Sequence, residues 1–255
     1  MTAVSVGSAQ VEVEGQGAPV VFLHGLGGTS NTFQPMMSSF AGFRCLRVDL
    51  PGSGRSPRPY EKLTLRHMIA AVIETLRALA GAPAHLIGHS LGALVAQHVA
   101  AEFSGGVRSL SLFGPIVEPT DAMRERLRER ARTARRDIVA VADAVAAGSL
   151  SSRAEPLALA FLRESHMRQD AEGFAQSCEA LVEAERAELR LIGCPALIAT
   201  GDEDAVAPPS AAHALAEKLK GARVKIFDHC GHWTPIERPK DCGRLAADFI
   251  RALDS

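Results

Sequence analysis

Short apolar runs alternate along this chain with longer segments in which apolar residues recur at helical spacing. Near the N-terminus, residues 10–14 alternate with a period of two, which predicts a hairpin with residues 3–6. The other strand-like runs lie at 19–25, 44–49, 84–90, 107–114, 195–201 and 223–229. Strands that alternate with helices are typical of a parallel sheet. We therefore predict eight strands, of which the last six are parallel.

The segments between these runs predict the helices of an α/β fold, with helices on both faces of the sheet. Helical spacing is clear at 64–80, 91–103, 209–220 and 239–253. The last two have Pro near their start, where proline is tolerated. This pattern predicts a mostly parallel, eight-stranded sheet covered on each side.

One long stretch, residues 116–190, interrupts the alternation of strands and helices. It contains no convincing strand and is rich in Ala, Arg and Glu, which predicts several helices. We interpret it as an inserted helical cap over the open edge of the sheet. The chain then divides into a core, residues 1–115 and 191–255, and a cap, residues 116–190.

Composition and charge narrow the class of protein. The chain has 255 residues, 47% hydrophobic and 22% charged, with a net charge of -1, so no nucleic-acid or membrane partner is expected. The N-terminal residues lack the pattern of a secretory signal, and no apolar run is long enough to span a membrane. Five scattered cysteines argue against a disulfide framework or a zinc cluster. We expect a cytoplasmic protein with free thiols and no metal.

The segment Gly88-His89-Ser90-Leu91-Gly92 lies between an apolar run and a helical pattern. In this context G-x-S-x-G predicts a tight strand-to-helix turn that exposes the serine. The N-terminus of the following helix favours negative charge. Ser90 is therefore the candidate nucleophile.

A serine hydroxyl needs a base within hydrogen-bond reach, and the base needs a group that fixes its tautomer. His232 follows the last predicted strand, and Asp202 and Asp204 follow the strand before it. Carboxyl ends of parallel strands meet at one edge of a sheet, which is where sites of open α/β folds lie. Glu118, after the sixth strand, is a further candidate for the acid.

Five motifs together resemble the α/β-hydrolase superfamily, and in particular bacterial enol-lactonases and carboxylesterases. They are HGLGG (24–28), DLPGSGRS (49–56), GHSLG (88–92), GDEDAVAP (201–208) and GHWTPIERP (231–239). The resemblance covers the core but not the cap. It implies His232 as the base and the later carboxylate, Asp204, as the acid.

The same resemblance implies an oxyanion hole made by the backbone N–H groups of Leu26 and Leu91. Further positions are expected to shape the pocket or contact substrate. These are His24, Gly25, Gly27, His89 and Trp233. We expect Gly27 to keep the loop free of side chains, His24 to support it, and His89 to line the pocket beside the nucleophile.

The run RERLRERARTARRD (124–137) holds seven arginines among acidic residues. One interpretation is a solvated helix face with ion pairs at i,i+4 spacing. The other is that one or two arginines point inward and hold a carboxylate of the substrate. The sequence leaves both interpretations open.

These features predict a serine hydrolase that cleaves a small carboxylic ester or lactone through an acyl-enzyme on Ser90, without a metal or organic cofactor. The expected partner is a small-molecule substrate, and the oligomeric state is undetermined. Three alternatives stay open: a hydrolase of C–C bonds in ring-cleavage products, an acyltransferase or perhydrolase, and a non-catalytic ligand receptor on the same fold.

Overall fold

Eight strands form one sheet in the computed structural model, which describes residues 2–59 and 61–254. The strands are β1 (Thr2–Val6), β2 (Ala9–Glu14), β3 (Ala18–Leu23), β4 (Phe43–Asp49), β5 (Ala84–His89), β6 (Val107–Phe113), β7 (Ala196–Gly201) and β8 (Arg223–Phe227). Their order across the sheet is β1-β2-β4-β3-β5-β6-β7-β8. Only the pairs β1–β2 and β2–β4 are antiparallel. The prediction of eight strands with the last six parallel is confirmed.

Alternate side chains of a central strand enter two separate cores. In β3, Val21 and Leu23 belong to one apolar cluster, and Val20 and Phe22 belong to the other. All four are fully buried. Because both faces of the sheet are covered, β3 is apolar throughout and does not alternate with polar residues.

Nine helices cover the sheet and the edge above it, within the described residues. They are α1 (Leu65–Thr75, continued by a π-helical turn, Leu76–Ala80), α2 (Leu91–Glu102), α3 (Asp121–Arg136), α4 (Ile138–Ser149), α5 (Pro156–Met167), α6 (Ala171–Val182), α7 (Pro209–Ala216), α8 (Thr234–Glu237) and α9 (Pro239–Asp254). Helices α1 and α2 pack on one face of the sheet and α9 packs on the other. Helices on both faces, as predicted, are confirmed.

A segment that the sequence did not identify as helical, Ser30–Phe40, forms a 3-10 helix beside α9. Its Phe33, Met36 and Phe40 are buried against Phe22 of β3. A proline at position 35 lies inside it, which obscures the helical pattern.

Four helices, α3 to α6, lie between β6 and β7, inside the segment predicted to be a cap. We call residues 121–182 the helical insertion. Side chains at the helix starts explain where three of them begin: Thr120, Asp137 and Asp170 each accept a hydrogen bond from a backbone N–H of the first turn. Helix α3 packs against α6, and α4 packs against α5. The division into two domains at 115 and 191 stays a prediction.

All five cysteines have free thiols, as predicted. Burial raises the pKa of both Cys45 and Cys178 to about 12, so these thiols stay protonated at neutral pH.

No helix in the described part of the chain combines the length and the apolar character needed to cross a bilayer.

Candidate active site

Ser90 occupies a strained turn between β5 and α2. Its backbone has φ 52° and ψ -114°, a conformation that residues other than glycine rarely adopt. The turn is so tight that a Cβ on Gly88 would lie 2.6 Å from Gly92 O, and one on Gly92 would lie 2.0 Å from Leu23 O. Glycine is therefore required on both sides of the serine. The N–H of Ser90 donates to Phe113 O at 3.0 Å, which anchors the turn to β6.

Three side chains from distant parts of the chain form one hydrogen-bonded line. Nε2 of His232 lies 2.8 Å from Oγ of Ser90, and Nδ1 lies 2.8 Å from Oδ2 of Asp204. An ionised carboxylate can only accept, so Nδ1 carries the hydrogen. Nε2 is then free to accept the hydrogen of the Ser90 hydroxyl.

Asp204 is held as a buried carboxylate by several donors. Its Oδ1 accepts from the N–H groups of Val206 and Ala207, both at 2.8 Å, and its Oδ2 accepts from the hydroxyl of Thr200 at 2.8 Å. Burial opposes its ionisation most strongly. The charge of His232 and these hydrogen bonds outweigh burial and hold the pKa of Asp204 well below its usual range. The acid is therefore ionised and oriented at neutral pH.

The two other candidate acids lie elsewhere. Oδ1 of Asp202 accepts from the N–H of Cys230 at 3.1 Å, and this hydrogen bond is the main cause of the lowered pKa of Asp202. Glu118 is exposed and lies 3.5 Å from Arg124. Of the three carboxylates considered from the sequence, the structure thus brings Asp204 to His232.

The loop after β3 passes directly beside the nucleophile. A Cβ on Gly25 would lie 2.7 Å from Nδ1 of His89 and 3.0 Å from Cβ of Ser90. Gly27 has φ +78°, which favours glycine. Among the described residues, the N–H groups of Leu26 and Leu91 donate to no backbone carbonyl of a turn, loop or helix cap. Leu91 begins α2, so its N–H has no acceptor within the helix.

The helical insertion contacts both loops of the site. The hydroxyl of Ser165 donates to Gly27 O at 2.9 Å, and the side-chain amide of Gln169 donates to the same oxygen at 3.2 Å. On the other side, the carbonyl of Ser149 accepts from the N–H of His232 at 2.9 Å. The insertion therefore helps to fix the positions of the loop after β3 and of the candidate base.

His24 and His89 lie behind the cavity wall and not on it. Nε2 of His24 accepts from the N–H of Leu50 at 3.0 Å, so its Nδ1 donates to Gly25 O at 2.8 Å. Nε2 of His89 donates to the carbonyl of His232 at 2.9 Å. Burial lowers the pKa of both rings, that of His89 to about 3. The expectation that His89 lines the pocket is not met, because its ring is fully buried and bonded to backbone.

A cavity of about 80 Å³, measured as the volume open to the centre of a water molecule, lies over Ser90 and His232. Of the residues named from the sequence, Leu26 and Trp233 also line it, whereas His24, Gly25, Gly27 and His89 are absent from its described lining. The insertion supplies further lining residues, of which Arg126 and Arg130 are among the arginines of the run 124–137 considered from the sequence, whereas the others were not singled out. These further residues include Met123, Arg126, Leu127, Arg130, Val145, Ser149, His166 and Leu181.

The lining residues of α3 could have been grouped from the sequence, although their orientation could not. Met123, Arg126, Leu127 and Arg130 follow the spacing i, i+3, i+4, i+7, which places them on one helix face. This spacing does not tell whether the face meets a neighbouring helix or a cavity. The packing of α3 against α6 and α4 decides it.

His166 is a buried histidine of the cavity wall, and no sequence motif pointed to it. Its ring packs at right angles to Trp233, at 5.5 Å between centroids, and Nδ1 donates to Leu162 O at 2.9 Å. Burial lowers the pKa of His166 to about 4, and the charge of Arg130 adds to the effect. The ring is therefore neutral at neutral pH.

Comparisons with known proteins agree with this architecture. Residues 18–239 match the family model of the alpha/beta hydrolase fold. The chain is 33% identical over 257 aligned positions to a pimeloyl-[acyl-carrier protein] methyl ester esterase from Chromobacterium violaceum, covering 94% of this chain and 97% of the relative. It resembles the solved enol-lactonase of Burkholderia xenovorans (TM-score 0.89, 27% identity, 98% and 100% covered). A thermophilic esterase of Thermogutta terrifontis has TM-score 0.92 at 21% identity, with both chains fully covered.

We expect Gly92→Ala to destabilise the protein by about 3 kcal/mol or more, because the new methyl group would overlap the backbone of β3. Urea denaturation followed by circular dichroism measures the change. Gly105→Ala is the control, since nothing lies within 4 Å of a Cβ at Gly105. Equal stability of the two variants would contradict the close approach described here.

The buried neutral His166 should make stability depend on pH. Below pH 6.5 the unfolded chain gains a proton at this position, whereas the folded chain, with a pKa of about 4, does not. Stability is therefore complete above pH 6.5 and falls by about 2 kcal/mol between pH 6.5 and pH 5 from this residue.

His166→Gln should remove that part of the pH dependence, because glutamine does not titrate. Urea denaturation at pH 7.5 and pH 5.0 measures it in both proteins. If wild type and variant lose the same stability between the two pH values, the assignment of a lowered pKa to His166 is wrong.

Proposed function

Because this chain belongs to the α/β-hydrolase family, we propose that it is a serine hydrolase that cleaves a small carboxylic ester or lactone through an acyl-enzyme on Ser90. The observation that carries the proposal is the 2.8 Å contact between Nε2 of His232 and Oγ of Ser90 at the floor of a cavity. A serine next to an oriented imidazole acceptor is the arrangement that activates a hydroxyl for attack.

In the first half of the reaction, Oγ of Ser90 attacks the carbonyl carbon of the substrate while Nε2 of His232 accepts the hydroxyl proton. The carbonyl oxygen becomes an oxyanion and accepts hydrogen bonds from the N–H groups of Leu26 and Leu91. Backbone donors held in place before the reaction stabilise this charge without reorganisation. Collapse of the intermediate breaks the ester bond, and the alcohol leaves with the proton from His232.

In the second half, water attacks the acyl carbon while His232 accepts its proton. The bond to Oγ breaks, the carboxylic acid leaves, and the proton returns to Ser90. Asp204 stays ionised throughout and stabilises the imidazolium that forms at each attack. Its buried position and four hydrogen bonds keep the imidazole in the required tautomer.

His24, Gly25, Gly27 and His89 act as positioning residues in this proposal. His24 holds the carbonyl of Gly25, and His89 holds the carbonyl of His232. Both rings thus fix backbone that carries the oxyanion donors or the base. Trp233 lines the cavity and contacts the substrate.

The size and lining of the cavity favour a small substrate. The cavity volume of about 80 Å³ is enough for several water molecules, which suits a small ligand, and most of the lining residues are apolar. By their names, the compared relatives act on a methyl ester and on an enol-lactone. These points support an ester or lactone over the C–C bonds of ring-cleavage products.

Ser90→Ala should lower the turnover of 4-nitrophenyl acetate by at least about 1000-fold, because it removes the hydroxyl that lies against the imidazole of His232 and would form the acyl-enzyme. Release of 4-nitrophenol measures the rate, and thermal unfolding of the variant checks that the fold is retained. A variant that keeps a tenth of wild-type activity would sink the proposal.

The same assay separates the alternative functions. If the wild-type protein binds esters but does not hydrolyse them, the result would indicate a ligand receptor. Products that incorporate added alcohol or peroxide in preference to water would indicate a transferase or perhydrolase.

Asp204→Asn should lower kcat by about 1000- to 10,000-fold, because an amide no longer favours the tautomer in which Nδ1 carries the hydrogen. Asp202→Asn is the matched control and should stay within about threefold of wild type, since the Asp202 carboxylate accepts from the backbone of Cys230 and has no hydrogen bond to His232 within the described residues. Steady-state kinetics of both variants decide the point. A larger loss of kcat in the Asp202 variant than in the Asp204 variant would show that Asp202, and not Asp204, orients the base.

A further inference from the structure

The arginines of helix α3 divide into two groups by their partners. Of the seven, five contact a carboxylate within the described residues. The pairs are Arg124 with Glu118, Arg128 with Glu125, Arg132 with Glu129, Arg135 with Glu172 and Glu179, and Arg136 with Glu129. Four of the five are exposed and form the solvated, ion-paired surface that charge alternation predicts, although Arg128 and Arg132 pair at i,i+3 and not at i,i+4 spacing. Arg124 is half-buried and also donates to the carbonyls of Val182 and Ala184.

The remaining two, Arg126 and Arg130, line the cavity that contains Ser90 and His232. They lie four residues apart and so share one face of α3. Within residues 2–59 and 61–254, neither has a carboxylate partner or a side-chain hydrogen bond to another residue. Arg126 is exposed, whereas Arg130 is half-buried.

Two positive charges therefore face a cavity without a compensating charge of the protein. The described lining contains no Asp or Glu, and it includes the apolar Leu127, Val145 and Leu181. Burial is the main cause that lowers the pKa of Arg130, and the charge of Arg126 lowers it further. A half-buried cation beside a second cation is costly unless an anion joins them.

We propose that Arg126 and Arg130 bind a carboxylate that the substrate carries in addition to its scissile bond. The inference rests on the proposed function, since it places the ester or lactone of the same molecule at Ser90. Guanidinium groups bind carboxylates through paired, charge-assisted hydrogen bonds. An apolar chain between the two polar ends suits the apolar wall. The substrate class is then the monoesters of dicarboxylic acids, or lactones that bear a carboxylate.

A matched pair of esters tests the proposal. The mono-4-nitrophenyl ester of adipic acid and 4-nitrophenyl hexanoate have acyl chains of equal length, but only the first ends in a carboxylate. Wild type should have a kcat/KM at least about tenfold higher for the charged ester, as expected for hydrogen bonds between charged groups.

Arg126→Gln and Arg130→Gln should each lower kcat/KM for the charged ester by about 10- to 100-fold. For the neutral ester they should change it by less than about threefold. Arg126→Lys and Arg130→Lys should recover part of the loss, because they restore the charge without the planar fork.

Arg128→Gln is the control within the same helix. Arg128 is exposed and pairs with Glu125 at 3.2 Å, outside the cavity. This variant should leave kcat/KM for both esters unchanged. If Arg126→Gln and Arg130→Gln lower the rates of both esters equally, the arginines have a structural role and the inference is overturned, while the serine hydrolase proposal survives.

A binding measurement separates failure of the inference from failure of the proposed function. Ser90→Ala protein should bind monomethyl adipate, measured by calorimetry, and adding Arg130→Gln should weaken binding by about tenfold or more. If this holds although wild type hydrolyses neither ester, the anion site stands and the hydrolase proposal falls. If Ser90→Ala protein binds methyl hexanoate as tightly as monomethyl adipate, the anion site falls.

Discussion

The hydrogen bond between Ser90 and His232 joins residues 142 positions apart in sequence, and the rest of the site depends on it. The two residues meet because β5 and β8 run parallel in one sheet, so that the loops after them leave the same edge. Asp204, in the loop after β7, reaches the far side of the imidazole for the same reason. A parallel sheet thus converts three local sequence motifs into one chemical unit.

The arrangement of Ser90, His232 and Asp204 requires close backbone packing around the nucleophile. Gly88 and Gly92 leave no space for a Cβ, and Ser90 itself adopts a positive φ. Strain of this kind persists only where surrounding structure holds it in place. Here β3 and β6 hold it, through the close approach of Gly92 to Leu23 and the hydrogen bond from Ser90 to Phe113.

The helical insertion completes the site in two ways. Its backbone and side chains bind the loop at Gly27 and the loop at His232, so the geometry of the core depends on how the insertion packs. It also supplies the charged part of the cavity, Arg126 and Arg130. The same segment therefore links the position of the reacting groups to the chemistry that selects a substrate.

Much of the core could be predicted from the sequence alone. Strand periodicity and the Gly-x-Ser-x-Gly turn are local patterns, and they sufficed for the eight strands and for Ser90. Such patterns report short-range constraints: which residues can form a tight turn, and which face of a strand is apolar. The choice of Asp204 among three carboxylates came from the resemblance to the α/β-hydrolases, and the structure brings Asp204 to His232.

Only the tertiary structure decided which residues line the cavity. From the sequence, His89 belonged to the pocket and His166 had no role, yet His89 is buried behind the wall and His166 lines it. The seven arginines of α3 looked alike, and the packing of α3 against α6 and α4 decided that Arg126 and Arg130 line the cavity. The orientation of a helix about its axis is set by contacts with distant segments, so local periodicity groups side chains by face but does not tell which face meets the substrate.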